Sequence, residues 1–177
     1  TPSGFEDSLW RQIVDLGWIG LGVPEDLGGA GLGLAEAITI AEPMGRALGA
    51  LPFVSTQLFV EGLTAGGSNR LCERYLPQVV AGAPATVALM EPGGSWLLGE
   101  PRCTMTLTPN GFTLSGVKTF VGDAGVAHAA LVSANMDGQM VFAVLNLDDP
   151  RGLSITRETV IDETQRSFRV EFSDVSI

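Results

Sequence analysis

Apolar positions recur at helical spacing in the first half of the chain and alternate in the second half. Phe5, Leu9, Ile13 and Leu16 fall three or four residues apart, so the spacing predicts a helix. Ser3 with Glu6 reads as its capping box, and Gly17 stops it. Gly20 to Gly33 is too rich in glycine for regular structure and reads as a loop. Leu34 to Leu48 is helical again, with Leu34, Ile38, Ala41 and Leu48 on one face and a Glu42–Arg46 pair on the other. Pro43 removes a donor there and should bend the helix near Thr39. Pro52 opens a third helix that reaches about Leu63. Ser68 caps a fourth, expected to end before Pro77.

From Ala85 the period changes to two. Thr86 to Met90 is a short apolar strand. Cys103–Thr108 and Phe112–Val121 flank Pro109-Asn110-Gly111, and Ala129–Asn135 and Gln139–Leu147 flank Asp137-Gly138; both are hairpin signals. Leu153–Arg157 and Ser167–Ser173 are further strands. In the last, Phe168, Val170 and Phe172 alternate with Arg169, Glu171 and Ser173, which buries one face and wets the other. The expected fold class is α+β: an all-helical domain over residues 1–82, then an antiparallel barrel or sandwich over residues 83–177.

Composition narrows the function classes. The chain has 177 residues, enough to bury a substantial core, and acidic residues outnumber basic ones 20 to 10. A net charge of −10 repels a phosphate backbone and argues against nucleic-acid binding. Only 17% of residues are charged and 45% are hydrophobic, the reverse of a disordered chain. Mean hydropathy is +0.28, yet the longest uncharged stretch, Tyr75 to Met90, holds Pro77, Gln78 and Pro84 and falls short of a membrane span. The apolar excess reads instead as surface that belongs against another domain or subunit. Two cysteines give no disulfide framework or zinc pattern, and one histidine rules out a multi-histidine metal site. Without a signal peptide, the expected compartment is the cytoplasm; the missing initiator Met and the end at Ile177 read as a fragment.

Few residues carry a chemical signal on their own. The run Gly28-Gly29-Ala30-Gly31-Leu32-Gly33 misses the dinucleotide-binding spacing, has no βαβ unit around it, and reads as an irregular turn. His128 sits among alanines with no triad partner evident, and Asp148-Asp149 before Pro150 reads as a solvated turn. Glu91-Pro92-Gly93-Gly94-Ser95 follows a strand directly, and such a turn can aim successive N–H groups at an anion.

Taken in order, the pieces resemble the acyl-CoA dehydrogenase family. Leu16-Gly17-Trp18-Ile19-Gly20-Leu21-Gly22-Val23-Pro24-Glu25 with Leu27-Gly28-Gly29-Ala30-Gly31 is similar to its N-terminal signature. Ala41 to Leu48 resembles the following helix, and Tyr75-Leu76-Pro77 with Ala81-Gly82 the entry to the middle β-domain. Met90 to Ser95 is similar to the family's Thr-Glu-Pro-Gly-Ala-Gly-Ser-Asp run. Gly116-Val117-Lys118-Thr119-Phe120-Val121-Gly122 is similar to its Gly-x-Lys-x-Trp-Ile-Thr strand, and Phe172-Ser173-Asp174-Val175 to the end of that domain. The resemblance implies a third, C-terminal helical domain that this chain lacks.

It also implies an FAD-dependent α,β-dehydrogenation of an acyl-CoA thioester, in a homo- or hetero-oligomer, a dimer or tetramer. The proton-abstracting glutamate belongs in most members to the C-terminal domain, so no catalytic residue is assigned here; Glu91 has a structural place in the family's turn. The implied flavin contacts are Leu89, Met90, Gly94, Ser95, Phe120, Val121 and Gly122. Met90 and Gly122 stand where the family has hydroxyl side chains on the ring, Phe120 stands for its Trp, and Trp96 replaces the Asp of a run one residue short. Backbone N–H groups at Leu89, Met90 and Val121 remain as donors. Three readings follow: a divergent dehydrogenase, a weakly flavin-binding or non-catalytic subunit of a heteromeric one, and a flavin-independent β-sandwich binding module.

Overall fold

A computed structural model describes residues 4–94, 96–148, 151–162 and 164–177. The chain forms two compact units, one up to Ala85 and one from Thr86 onward. Ser3 of the expected capping box lies outside the described residues.

The first unit is helical: α1 (Asp7–Asp15), α2 (Leu34–Arg46), α3 (Phe53–Gly66) and α4 (Asn69–Val80). Its core gathers Trp10, Ile13, Ile19, Val23, Phe59, Leu63 and Leu76. Phe59 meets Tyr75 edge-to-face at 6.2 Å between centroids, and the Trp10 indole donates to Gly82 O at 2.8 Å. The glycine-rich loop holds a short 3₁₀ turn, Glu25–Leu27. It folds back on itself through Ala30 N–H to Gly20 O (3.0 Å) and Gly31 N–H to Val23 O (2.9 Å). Gly29 permits that closure, because a Cβ there would lie 2.0 Å from Val23 O. The Gln57 amide donates to Ile19 O at 2.9 Å and ties the loop to α3.

Three expectations for the helices change. Ser68 does cap α4, accepting from Leu71 N–H, but the helix runs through Pro77 to Val80. Tyr75, Leu76 and Val79 are all buried, and that burial outweighs one lost hydrogen bond. Helix α2 runs through Pro43 to Arg46, as its spacing predicts. Its apolar stripe is uncovered among the described residues: Ala37 is its one buried position, and Ile38 is 56% exposed. In α1 Trp10, rather than Leu9 or Leu16, joins Ile13 in the core.

The second unit is a sheet of β1 (Ala85–Ala88), β2 (Thr104–Thr108), β3 (Gly111–Gly122), β4 (Ala129–Met136), β5 (Gln139–Asn146), β6 (Leu153–Glu158) and β7 (Ser167–Ser176). The order is β1-β4-β2-β3-β7-β6, with β5 on β4. Both expected hairpins form: Thr108 pairs Gly111 across Pro109-Asn110, and Met136 pairs Gln139 across Asp137-Gly138, both of which have positive φ. On β7, Val170 and Phe172 are buried, while Arg169 and Glu171 pair at 2.6 Å on the wetter face.

The expected antiparallel barrel or sandwich needs one correction. Pairs β2·β3, β3·β7, β4·β5 and β6·β7 are antiparallel, but β2 meets β4 in parallel at Thr104 and Asn135. The sheet is mixed and curled rather than closed. Among the described strands β6 pairs with β7 alone, so the circuit stays open there. The curl follows from two register shifts in the long β3, because each bulge adds twist and bend. Leu114, Val121, Val132, Leu145, Val170 and Phe172 fill the concave side.

Candidate functional site: a bulged strand beside a turn

Two segments expected to carry the site lie together. The first leaves the end of β1 at Leu89; the second is the end of β3, Lys118 to Gly122. Lys118 joins them. Its side chain is fully enclosed, and its three N–H groups reach Glu91 Oε1 (2.7 Å), Ser133 Oγ (2.9 Å) and Leu89 O (3.2 Å). That uses the whole donor capacity of an ammonium group. Glu91 also accepts from Arg102 N–H at 2.8 Å and Cys103 N–H at 2.9 Å. Burial opposes ionisation of Glu91, but the Lys118 hydrogen bond, the two amides and the Lys118 charge hold its carboxyl below the usual range. A carboxylate stabilised in that way is a poor base, so Glu91 serves as the anchor of the turn. Burial beside this pair pushes the Cys103 thiol up to about 11.

Beyond Glu91 the chain turns sharply. Gly94 N–H donates to Glu91 O at 3.3 Å, with Pro92 second and Gly93 third at φ 105°, the sequence of a type II turn. Gly94 is exposed at φ 67°. Ser95 lies outside the described residues. Leu97 and Leu98, from the exposed segment that follows, line a cavity of about 180 Å³ with Leu89, Pro92 and Arg102.

On β3 the register shifts between Lys118 and Val121. Thr119 N–H donates to Met90 O at 2.9 Å, which binds the bulge to the first segment. The Thr119 hydroxyl is buried without a hydrogen-bond partner. Phe120 has φ 53°, rare for a residue with a Cβ, and its side chain is 62% exposed. Val121 turns its side chain into the core, so only its backbone can serve a ligand. Gly122 ends the strand; a Cβ there would meet no atom within 4 Å. Its carbonyl accepts from Thr86 Oγ1 at 2.6 Å.

Of the expected positions, Leu89 and Met90 are thus joined to Phe120 and its neighbours through Lys118 and Thr119. An exposed aromatic ring beside the cleared space at Gly122 fits the edge or face of a planar ring system. It offers no side-chain hydroxyl at Met90 or Gly122. Sequence reasoning missed Glu158, whose Oε2 accepts from Phe120 N–H (2.9 Å) and Ser167 Oγ (2.7 Å), and it missed Thr86 and Ser133. His128 does have a partner: its Nδ1 contacts Asp148. No nucleophilic side chain bonds that pair in the described structure.

Residues 2–83 match the model of the acyl-CoA dehydrogenase N-terminal domain. The chain is 32% identical over 154 residues to the acyl-CoA dehydrogenase FadE27 of Mycobacterium tuberculosis, covering 86% of this chain and 40% of that protein. A variant of the Tcur3481-Tcur3483 steroid ACAD superposes with a TM-score of 0.88 at 31% identity, over 99% of this chain and 48% of that one. The ChsE4-ChsE5 complex of Mycobacterium tuberculosis gives a TM-score of 0.85 at 29% identity, over 98% of this chain and 46% of that one. The fold is that of the N-terminal and middle parts of these relatives. The chain belongs to the acyl-CoA dehydrogenase family, whose N-terminal helical and middle β portions it comprises. It spans less than half the length of these relatives.

Proposed function

We propose that this chain is the N-terminal and middle part of an FAD-dependent acyl-CoA dehydrogenase, one that removes hydrogen from the α and β carbons of an acyl-CoA thioester. The observation that carries the reading is the bulge of β3, with an exposed Phe120 at positive φ beside the open position of Gly122. Phe120 offers a ring for packing. Gly94 and the Leu89, Met90 and Val121 amides offer backbone contacts, and Ser95 belongs to the same motif. When bound, FAD supplies the hydride acceptor. The residues named here hold and orient it, while Lys118 and Glu91 keep the two segments in register. The α proton is weakly acidic, so it needs a base, a role assigned to no described residue of this chain, and a donor for the charge developing on the thioester oxygen.

A second reading, a subunit that binds flavin weakly or only beside a partner chain, is favoured by a specific observation. Met90 and Gly122 cannot offer the hydroxyls that the family places on the ring. Each net hydrogen bond stabilises by about 0.5–1.5 kcal/mol, so losing two weakens binding by roughly tenfold to a hundredfold. The similarity to a two-component complex points the same way. The steroid ACAD among the similar structures makes steroid-derived acyl-CoA thioesters the first substrates to assay, with the cytoplasm the expected compartment. No observation favours the flavin-independent module.

The test is titration of the full-length protein with FAD, alone and with a co-expressed partner subunit, read by flavin absorbance and fluorescence. Binding only in the presence of the partner supports the heteromeric reading. Tight stoichiometric FAD in the homomeric protein refutes it in favour of the first. Absence of binding in both refutes both.

A further inference from the structure

The bulge that presents Phe120 is pinned from two sides. Glu158 ends β6 opposite Ser167 of β7, and Ser167 lies opposite Gly122 of β3, so these three form one row across the sheet. In an unbroken ladder Phe120 would stand two residues beyond that row. The shift between Lys118 and Val121 and the left-handed φ of 53° bring its N–H to Glu158 instead. Thr119 N–H goes to Met90 O at 2.9 Å, and Phe120 N–H to Glu158 Oε2 at 2.9 Å. The same oxygen accepts Ser167 Oγ at 2.7 Å, which fixes the carboxylate.

We propose that Glu158 is a positioning residue for the flavin face: by accepting the Phe120 amide it keeps that residue in the left-handed conformation from which its ring stands out of the sheet. This rests on the flavin reading above. A residue with a Cβ persists at such a φ only when its surroundings enforce it. The Thr119 anchor fixes one side of the bulge and leaves the Phe120 peptide free to rotate back towards extended backbone. Glu158 supplies the second anchor. Its role needs an acceptor oxygen and no proton transfer, so a glutamine should replace it and an alanine should not.

The experiment uses the full-length protein with any partner subunit it requires. FAD dissociation constants are measured for the unmodified protein, Glu158→Gln, Glu158→Ala, Phe120→Ala and the Glu158→Ala/Phe120→Ala double variant. Amide exchange at Phe120 is followed by NMR without FAD. Glu158→Ala should weaken FAD binding about tenfold, the cost of a backbone no longer held in a sparse region, and should speed Phe120 exchange. Glu158→Gln should stay within about threefold of the unmodified protein on both readouts. In the Phe120→Ala background, removing Glu158 should cause no further loss of FAD affinity, because its effect passes through Phe120. Unchanged affinity and unchanged exchange in Glu158→Ala overturn the proposal, as does a further loss in the double variant. If the unmodified protein binds no FAD, the flavin reading falls. The positioning of Phe120 is then decided by exchange: faster in Glu158→Ala and protected in Glu158→Gln supports it, and any other pattern refutes it.

Discussion

Replacing Lys118 with methionine keeps the stem and removes a charge and three donors. The surrounding geometry sets the cost. The side chain is fully enclosed, and all three of its hydrogen bonds end on protein groups. In the variant, Glu91 stays ionised by its two amide bonds, with its side chain only 14% exposed and no cation beside it. Removing one partner of a buried pair costs about 3–5 kcal/mol. Glu91 keeps two donors and some water, so the lower end applies, about 3 kcal/mol. In urea unfolding followed by circular dichroism, that corresponds to a midpoint lower by about 1–3 M at ordinary slopes. Glu91→Gln should also destabilise, because it leaves the ammonium group without its counter-charge. The two variants combined should lose less than the sum by at least about 1 kcal/mol, since they break one interaction. The pH dependence has a definite sign. The Glu91 carboxyl is held below its ordinary value of 4.5, so its contribution is complete above that pH and disappears as pH falls through the folded-state value. A Lys118→Met protein within about 1 kcal/mol of the parent, or strict additivity of the two changes, would refute the assignment of this pair as the joint between the segments.

Restoring hydroxyls with Met90→Thr and Gly122→Thr should tighten FAD binding by about tenfold to a hundredfold in the same titration; unchanged affinity would show that these positions do not face the ring. Thr119→Val should stabilise the protein by about 1 kcal/mol in urea, because it removes a buried hydroxyl with no partner; a loss of that size would mean the hydroxyl is satisfied. Gly29→Ala should lower stability by about 3 kcal/mol, since its Cβ would collide with Val23 O and the loop has to open; a thermal midpoint equal to the parent's would refute that packing. A thiol reagent near pH 8 should modify Cys72 well before Cys103, which is buried with its thiol pushed up to about 11; equal rates by mass spectrometry would contradict that burial.

What was legible in the sequence was mostly local. Asp137-Gly138 needs positive φ at both positions, and that chemistry places the turn without reference to the rest of the chain. Ser68 works in the same way, through a bond three residues on. At Pro77 a local rule meets a tertiary fact: the helix continues where Leu76 and Val79 are buried on either side of it. The stripe on α2 reads as an apolar face, but no described residue covers it, and periodicity does not specify what does. Phe120 could be placed on its strand from the motif, whereas its left-handed backbone could not. No glycine marks it, and it depends on an acceptor 38 residues further along. Glu158 itself is one polar residue at a strand end. Its partner is set by the register of β3, β7 and β6 together.

The glycines of β3 show which part of the site the fold dictates. Gly116 has φ 140°, and a Cβ there would lie 2.7 Å from Cys103 Cα, so the sheet itself requires glycine. Gly122 has neither constraint: its φ is unremarkable and the space around its Cβ position is open. Packing within this chain therefore does not explain why a residue with a hydroxyl is absent there. A homomeric dehydrogenase that depended on that hydroxyl could carry it at no steric cost to its own fold. Its absence, together with Met90 at the companion position, is the expected outcome if flavin binding is shared with, or carried by, a partner chain. This is why the paired threonine substitutions and the partner titration test the same question from opposite sides.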